Sequence, residues 1–165
     1  MSLTNRADAA AGLAGLSRLV WSVVASPDSW ADLVRYRAEE RWYQRLEQTE
    51  NHELWLLSWL PGQRTGFHDH FGSSGAFAVA RGELQELTVP AASSSRGRAV
   101  LRRAAFATGQ VRAFGPQHVH EVMNVSGQPA VSIHAYAPSL AGMRRYELTS
   151  EGLVLAAVEM AGENW

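Results

Sequence analysis

Four of the six histidines stand in two His-x-His pairs, His68/His70 and His118/His120. Side chains on a strand point alternately to its two faces, so each pair can present both imidazoles on one side. Asp69 would then turn the other way, free to support a neighbour. Two imidazoles from one strand are half of a metal site. The second pair follows about fifty residues later, a return distance that suits another strand of a small barrel. Three imidazoles facing one cavity leave coordination positions open, a donor set that suits iron(II), zinc, copper or nickel without choosing among them. A lone His-x-His is equally at home near a surface loop; two pairs are harder to scatter.

A third cluster adds to them. In "SIHAYAP", residues 132–138, Ser132, His134 and Tyr136 share one face of a strand. A serine can orient an imidazole, and the imidazole can fix a phenol near a metal-bound ligand. A half-polar edge strand would show the same pattern, so its meaning rests on the two histidine pairs.

These residues need a scaffold that brings distant strands together. The 165-residue chain is 46% hydrophobic and 19% charged, a globular composition with length enough for a core. A formal net charge of −1 without long runs of one sign argues against a general nucleic-acid or anionic-membrane surface. With no cysteine, disulfides, zinc-thiolate sites, iron–sulfur clusters and a cysteine nucleophile are excluded. That absence fits a reducing cytoplasm. No run reaches the ~18 apolar residues of a membrane span. The first twenty-odd residues read as a packed helix rather than a signal peptide.

Leu13, Leu16, Val20 and Val23/Val24 recur at helical spacing. A second helix is expected over "SPDSWADLVRYRAEE", capped by Ser26 or Asp28 and ending near 39–41. From there the period shortens. "RWYQRL" alternates, "ELWLLSWL" is an apolar run ending at Pro61-Gly62, and short strands are expected at 76–80, 83–89, 98–106, 110–114, 119–125, 130–136 and 143–148. Turn signals at Arg81-Gly82, Thr108-Gly109, Gly115-Pro116 and Ser126-Gly127 separate several of them. Many short strands at about ten-residue spacing suggest a β-sandwich or barrel. "PAASSSRGR" reads as an exposed loop, and "LVLAAVEMA" as either a last strand or a short helix.

Together these stretches resemble the cupin superfamily. Gly62, His68-Asp69-His70 and Arg81-Gly82 are similar to its first motif, and Pro116 with "HEVMN", His120 to Asn124, to its second. The glutamate usual in the first motif is missing, because Phe71 to Gly75 carry no carboxylate and Glu83 and Glu86 come later. Three histidines without that glutamate, followed by Ser-x-His-x-Tyr and a proline, resemble the cysteine dioxygenase type I family. The resemblance covers roughly residues 41–138. It implies a mainly β, jelly-roll-like cupin barrel with N-terminal α-helices. One domain over 1–165 is expected, with a helical segment at 1–40 and the barrel at 41–150. It further implies Fe(II) held by His68, His70 and His120, a small-molecule thiol and O2 as partners, and oxidation of cysteine to cysteine sulfinic acid in the cytoplasm. The alternatives are a dioxygenase for 3-mercaptopropionate or another small thiol, and a non-oxygenase metal-binding cupin. Ser132, His134 and Tyr136 would act in catalysis. No nucleic acid, membrane or oligomeric partner is expected, and the chain is read as a monomer.

Family members specific for cysteine hold its carboxylate with an arginine upstream of the first metal histidine. Arg45 is the best match, with Tyr43 on the same strand face, since a guanidinium grips a carboxylate with two parallel hydrogen bonds. Arg41 lies one alternation beyond Tyr43 and remains open as the anchor. Members acting on 3-mercaptopropionate often carry glutamine there, and Gln44 is adjacent. His118 could support or replace His120 as a ligand; the spacing to Asn124 favours His120 by resemblance. Gly75 falls where the mammalian enzymes place the cysteine of a cysteine–tyrosine crosslink, so Tyr136 would stay a free phenol.

Overall fold

The computed structural model describes residues 12–89 and 100–161. Helix α1, Gly12–Val24, buries Leu16, Leu19, Val20 and Val23. Of the stripe that the helical spacing picks out, Leu13 is exposed, and Leu19 joins the buried face instead. Eleven strands follow among the described residues, in two antiparallel sheets. The first sheet holds β1 (Trp42–Gln48), β2 (Glu53–Trp59), β4 (Ser74–Arg81), β7 (Val111–Phe114) and β9 (Ala130–Ala137) in the order β1-β2-β9-β4-β7. The second holds β3 (Phe67–His68), β5 (Glu83–Thr88), β6 (Arg102–Ala107), β8 (His120–Met123), β10 (Gly142–Thr149) and β11 (Gly152–Met160) in the order β11-β10-β3-β8-β5-β6.

Both faces of β9 are buried, for different reasons. Val131, Ile133 and Ala135 join Leu54, Leu56, Ala76 and Ala78 beneath α1, as one apolar layer. Ser132, His134 and Tyr136 point the opposite way, into the space between the sheets, where they too are buried. A strand covered on one side by a helix can carry polar residues on its other side only where those residues find partners. That inner face is where the chemistry lies.

The second expected helix does not form. Its residues make two single turns of 3-10 helix, Pro27–Ser29 and Ala31–Leu33, and then run extended. Ser26 makes no side-chain cap. Trp30 is instead buried, with its Nε1 donating to Val23 O at 3.1 Å, which ties the turn back onto α1. The next carbonyls find barrel side chains rather than a helical turn: Ser58 Oγ donates to Arg35 O, and Gln63 Nε2 donates to Arg37 O at 2.8 Å. Tertiary partners thus outweigh a helical spacing of apolar residues. The described residues contain one α-helix, not the plural helices expected. "LVLAAVEMA" resolves as strand β11, an edge strand that carries the second sheet past residue 150. "PAASSSRGR" lies outside the described residues, and β6 begins at Arg102 rather than 98.

Candidate metal centre

His68 ends β3 and His120 begins β8, and the two are direct cross-strand partners. His70 lies just past β3, in the turn that follows, so the first pair does not share one strand as the alternation predicts. Asp69 makes this turn rigid. Its Oδ1 accepts from the backbone N–H of Phe71 at 3.0 Å, and its Oδ2 accepts from Arg144 Nη1 at 3.0 Å and Tyr146 Oη at 2.8 Å. Burial opposes the charge on Asp69, but those hydrogen bonds outweigh it and hold the carboxyl below its usual range. Asp69 therefore points away from the histidines and fixes the segment that carries them.

The three imidazoles converge. One ring nitrogen from each of His68, His70 and His120 lies within 4.8 Å of the others, and all three side chains are buried. His68 Nδ1 donates to Gly66 O at 3.0 Å, and His120 Nδ1 donates to Glu86 Oε1 at 2.8 Å. Each bond leaves Nε2 as the acceptor-type nitrogen, the form a metal requires. Both ring nitrogens of His70 are buried with no hydrogen-bond partner. A buried polar atom without a partner costs stability unless something else satisfies it. Burial and the neighbouring imidazoles push His70 and His68 well below the ordinary histidine range, so both are neutral at physiological pH, the form that a metal ligand needs. The residues fit a metal ion.

Glu86 is not among the residues that the sequence motifs single out, yet it organises the site. It is 2% exposed, and its Oε1 accepts from both His120 Nδ1 and His118 Nε2 at 2.8 Å. Its Oε2 accepts from Arg112 Nε at 2.8 Å. Burial would raise the Glu86 carboxyl, but the two histidine hydrogen bonds win and hold it far below the usual carboxylate range. Glu86, His118 and His120 could by distance hold a cation of their own. Their hydrogen bonds already satisfy one another and Arg112 sits on the carboxylate, so the trio reads as the support of His120. His118 precedes β8 and lies outside the three-histidine group. One signal in the sequence points to Glu86: Leu84 and Glu86 share the inward face of β5, and an inward carboxylate needs a partner. Glu86→Gln is expected to keep the fold and to weaken metal binding about 10- to 100-fold, as measured by direct metal titration.

Ser132, His134 and Tyr136 line up as their alternation predicts. Trp59 Nε1 donates to Ser132 Oγ at 2.9 Å, Ser132 Oγ meets His134 Nε2 at 2.8 Å, and Tyr136 Oη meets His134 Nδ1 at 3.3 Å. Burial lowers the His134 pKa to about 3 and raises that of Tyr136. The line is therefore uncharged, with the phenol protonated. The Tyr136 ring lies 4.9 Å from that of His70. A Cβ placed on Gly75 would come 2.5 Å from the Phe114 ring and 3.0 Å from Tyr136 Cδ1. Phe114 thus occupies the space that a side chain at Gly75 would need.

A small cavity of about 60 Å³ opens beside His68, His120, His134 and Tyr136. Its remaining wall is mostly apolar, and it holds Arg41, Tyr43 and Arg145. Arg145 is engaged by Glu159 at 2.9 Å and by Thr65 O at 3.1 Å. Arg41 packs over Trp59, 5.0 Å from the ring centroid, and has no carboxylate partner among the described residues. Burial, and then the charge of Arg145, lower its pKa to about 10. Arg45 does not line this cavity: it is exposed, 5.5 Å over the Trp55 ring. The structure brings Tyr43, His68, His120, His134 and Tyr136 to one cavity, and it brings Arg41 there in place of Arg45.

The family model for cysteine dioxygenase type I matches residues 6–149. The chain belongs to the cysteine dioxygenase type I family. Family membership points to thiol dioxygenase chemistry, and the three-histidine group gives that chemistry a possible metal site. Solved structures agree on the fold. The protein TT1209 from Thermus thermophilus is 26% identical, with 66% of this chain and 93% of that one covered at a TM-score of 0.56. A double-stranded β-helix protein from Klebsiella pneumoniae is 20% identical, covering 77% of this chain and 93% of that one at 0.56. A cupin superfamily protein from Desulfitobacterium hafniense is 13% identical, covering 66% and 87% at 0.53. The last two bear on the fold alone, a mainly β cupin barrel with an N-terminal helix. A comparison with curated proteins finds no match. Among the described residues, no helix is long and apolar enough to cross a membrane.

Proposed function

We propose that this chain is an iron(II) thiol dioxygenase that converts L-cysteine and O2 to cysteine sulfinic acid. One observation carries the reading: both nitrogens of His70 are buried and unpartnered inside a three-histidine cluster whose other two members, His68 and His120, line a cavity that holds an unpaired arginine. His68, His70 and His120 would hold the metal. When bound, iron(II) supplies positions at which the thiolate and dioxygen meet, and the thiol sulfur itself supplies the electrons, so no further reductant is needed.

The chain's own residues do the rest. Arg41 grips the substrate carboxylate bidentately, in a wall where a desolvated guanidinium gains most from a counter-charge. Leu57, Val122, Leu140 and Met143 line the same cavity and keep water from the reacting sulfur. Tyr136, kept protonated by its burial, donates a hydrogen bond toward the oxygen that gains charge. Ser132 and the neutral His134 hold that phenol in place without adding charge. Every group named comes from one chain, so a monomer is sufficient. A cytoplasmic setting, where small thiols stay reduced, suits the substrate.

One observation favours a second substrate. No carboxylate lines the cavity among the described residues, so a substrate ammonium has only the metal to bind as a free amine. The deaminated analogue 3-mercaptopropionate needs no such partner. Oxygen uptake and sulfinate formation by the iron(II)-loaded protein, measured with both thiols in parallel, test the reading. Turnover of cysteine with one O2 consumed per sulfinate is the expected result. Preference for 3-mercaptopropionate would keep the metal chemistry and change the substrate. No uptake with either thiol at full iron occupancy would overturn the proposal.

A further inference from the structure

Glu86 also lines a second, open groove of about 430 Å³ between the edge strands of the two sheets, which shares no lining residue with the cavity at the metal centre. Its lining includes Arg102 and Arg103 of β6 and Arg112 of β7, with Phe106 and Val111 as apolar wall. β6 is the last strand of its sheet, and Arg102 and Arg103 are both exposed on this edge, where both line the opening. Among the described residues, Glu86 is the one carboxylate in this lining, and it is already bonded to Arg112, His118 and His120. Arg102 and Arg103 have no acidic partner among the described residues. The lining therefore keeps an uncompensated charge of two positive, beside the apolar wall. Such a concave, singly signed surface concentrates anions. Planar guanidinium groups bind oxyanions in preference to halide because each offers paired N–H donors.

We propose that this space binds a small divalent oxyanion, of phosphate or dicarboxylate type, and that its occupancy acts on the metal ligand His120 through Arg112 and Glu86. The connection is a short chain of polar contacts. Arg112 Nε donates to one oxygen of Glu86, and the other oxygen holds His120 Nδ1, each at 2.8 Å. An oxyanion bound by Arg102 and Arg103 competes for Arg112. Glu86 then gives up part of its strongest external counter-charge and accepts more strongly from His120. A more strongly hydrogen-bonded imidazole N–H makes the opposite nitrogen a better metal donor. Metal affinity should therefore rise with the anion bound, and by reciprocity the metal should tighten the anion by the same factor. The anion site does not depend on the thiol reading; the coupling rests on His120 being a ligand.

Calorimetric titration of the full-length, metal-free protein at constant ionic strength tests the site. Sulfate serves as the tetrahedral dianion, succinate as the dicarboxylate and chloride as the control. Saturable one-to-one binding of sulfate or succinate is expected, with Kd raised at least tenfold in Arg102→Ala/Arg103→Ala. Which dianion binds tells the phosphate type from the dicarboxylate type. Cobalt(II) affinity, followed by its ligand-field absorption, should tighten at least threefold when the better dianion saturates the wild type, and stay unchanged in the double variant. Neither dianion binding above chloride, equal affinity in the double variant, or cobalt affinity indifferent to the anion would each overturn the proposal. None of these outcomes depends on thiol turnover, so the two proposals fail separately.

Discussion

His70→Leu is expected to abolish metal-dependent stabilisation while leaving the metal-free protein as stable as the wild type, or more so. The reason lies in what His70 lacks. Its ring is 1% exposed, stacked against Phe114 and tilted on Tyr136, with neither nitrogen hydrogen-bonded. An unsatisfied buried polar group costs roughly 1–3 kcal/mol, and leucine removes that cost while filling a comparable volume. In the wild type, a metal ion at about 100 times its Kd should add about 2.7 kcal/mol of stability. The variant should lose this entirely. Oxygen consumption with thiol should fall by at least about 100-fold, the upper range for losing even a ligand's supporting hydrogen bond. Thermal unfolding with and without metal separates the two effects. His120→Leu should behave differently, destabilising the metal-free protein by taking a partner from the buried Glu86 carboxylate. A metal-induced shift in His70→Leu equal to that of the wild type would remove His70 from the ligand set.

Arg41→Ala is expected to lower kcat/KM for a carboxylate-bearing thiol by about 30-fold to several thousand-fold. That range corresponds to the roughly 2–5 kcal/mol lost when one partner of a desolvated charge pair is truncated. Arg41→Lys keeps the charge but loses the fork, and should fall in between. Arg45→Ala should stay within about fivefold of wild type, because an exposed cation–π contact contributes about 0.5–1 kcal/mol. Arg41 also carries a pH signature. Its pKa is lowered to about 10, so the guanidinium is charged below that pH, and affinity for the carboxylate should fall as pH rises through about 10. Steady-state kinetics on the three variants decide the matter. A large loss in Arg45→Ala with little in Arg41→Ala would return the anchor to Arg45.

The choice between these two arginines shows where local pattern stops. Arg41, Tyr43 and Arg45 alternate along one segment, so all three belong to the same face, and period-two reasoning says no more than that. Depth along the barrel is set by register with the neighbouring strand. Arg45, opposite Trp55, is left exposed, while Arg41 packs over Trp59 and lines the cavity. Alternation along β5 can mark Glu86 as inward, but what it bonds to is hidden from local pattern for a related reason. Its partners His118, His120 and Arg112 lie 26 to 34 residues away, so no local spacing reveals them.

Residue types and a two-residue period were enough for much of this molecule. They marked most of the strands, the polar line of Ser132, His134 and Tyr136, and the outward role of Asp69, because each depends on which way neighbouring side chains point. The set His68, His70 and His120 came from the family resemblance, and a turn rather than a shared strand brings His70 to it. The missing second helix, the arginine that reaches the cavity and the carboxylate behind His120 were decided only by tertiary structure. Each of those depends on a partner distant in the chain, whose hydrogen bonds or burial override what the local segment would prefer alone.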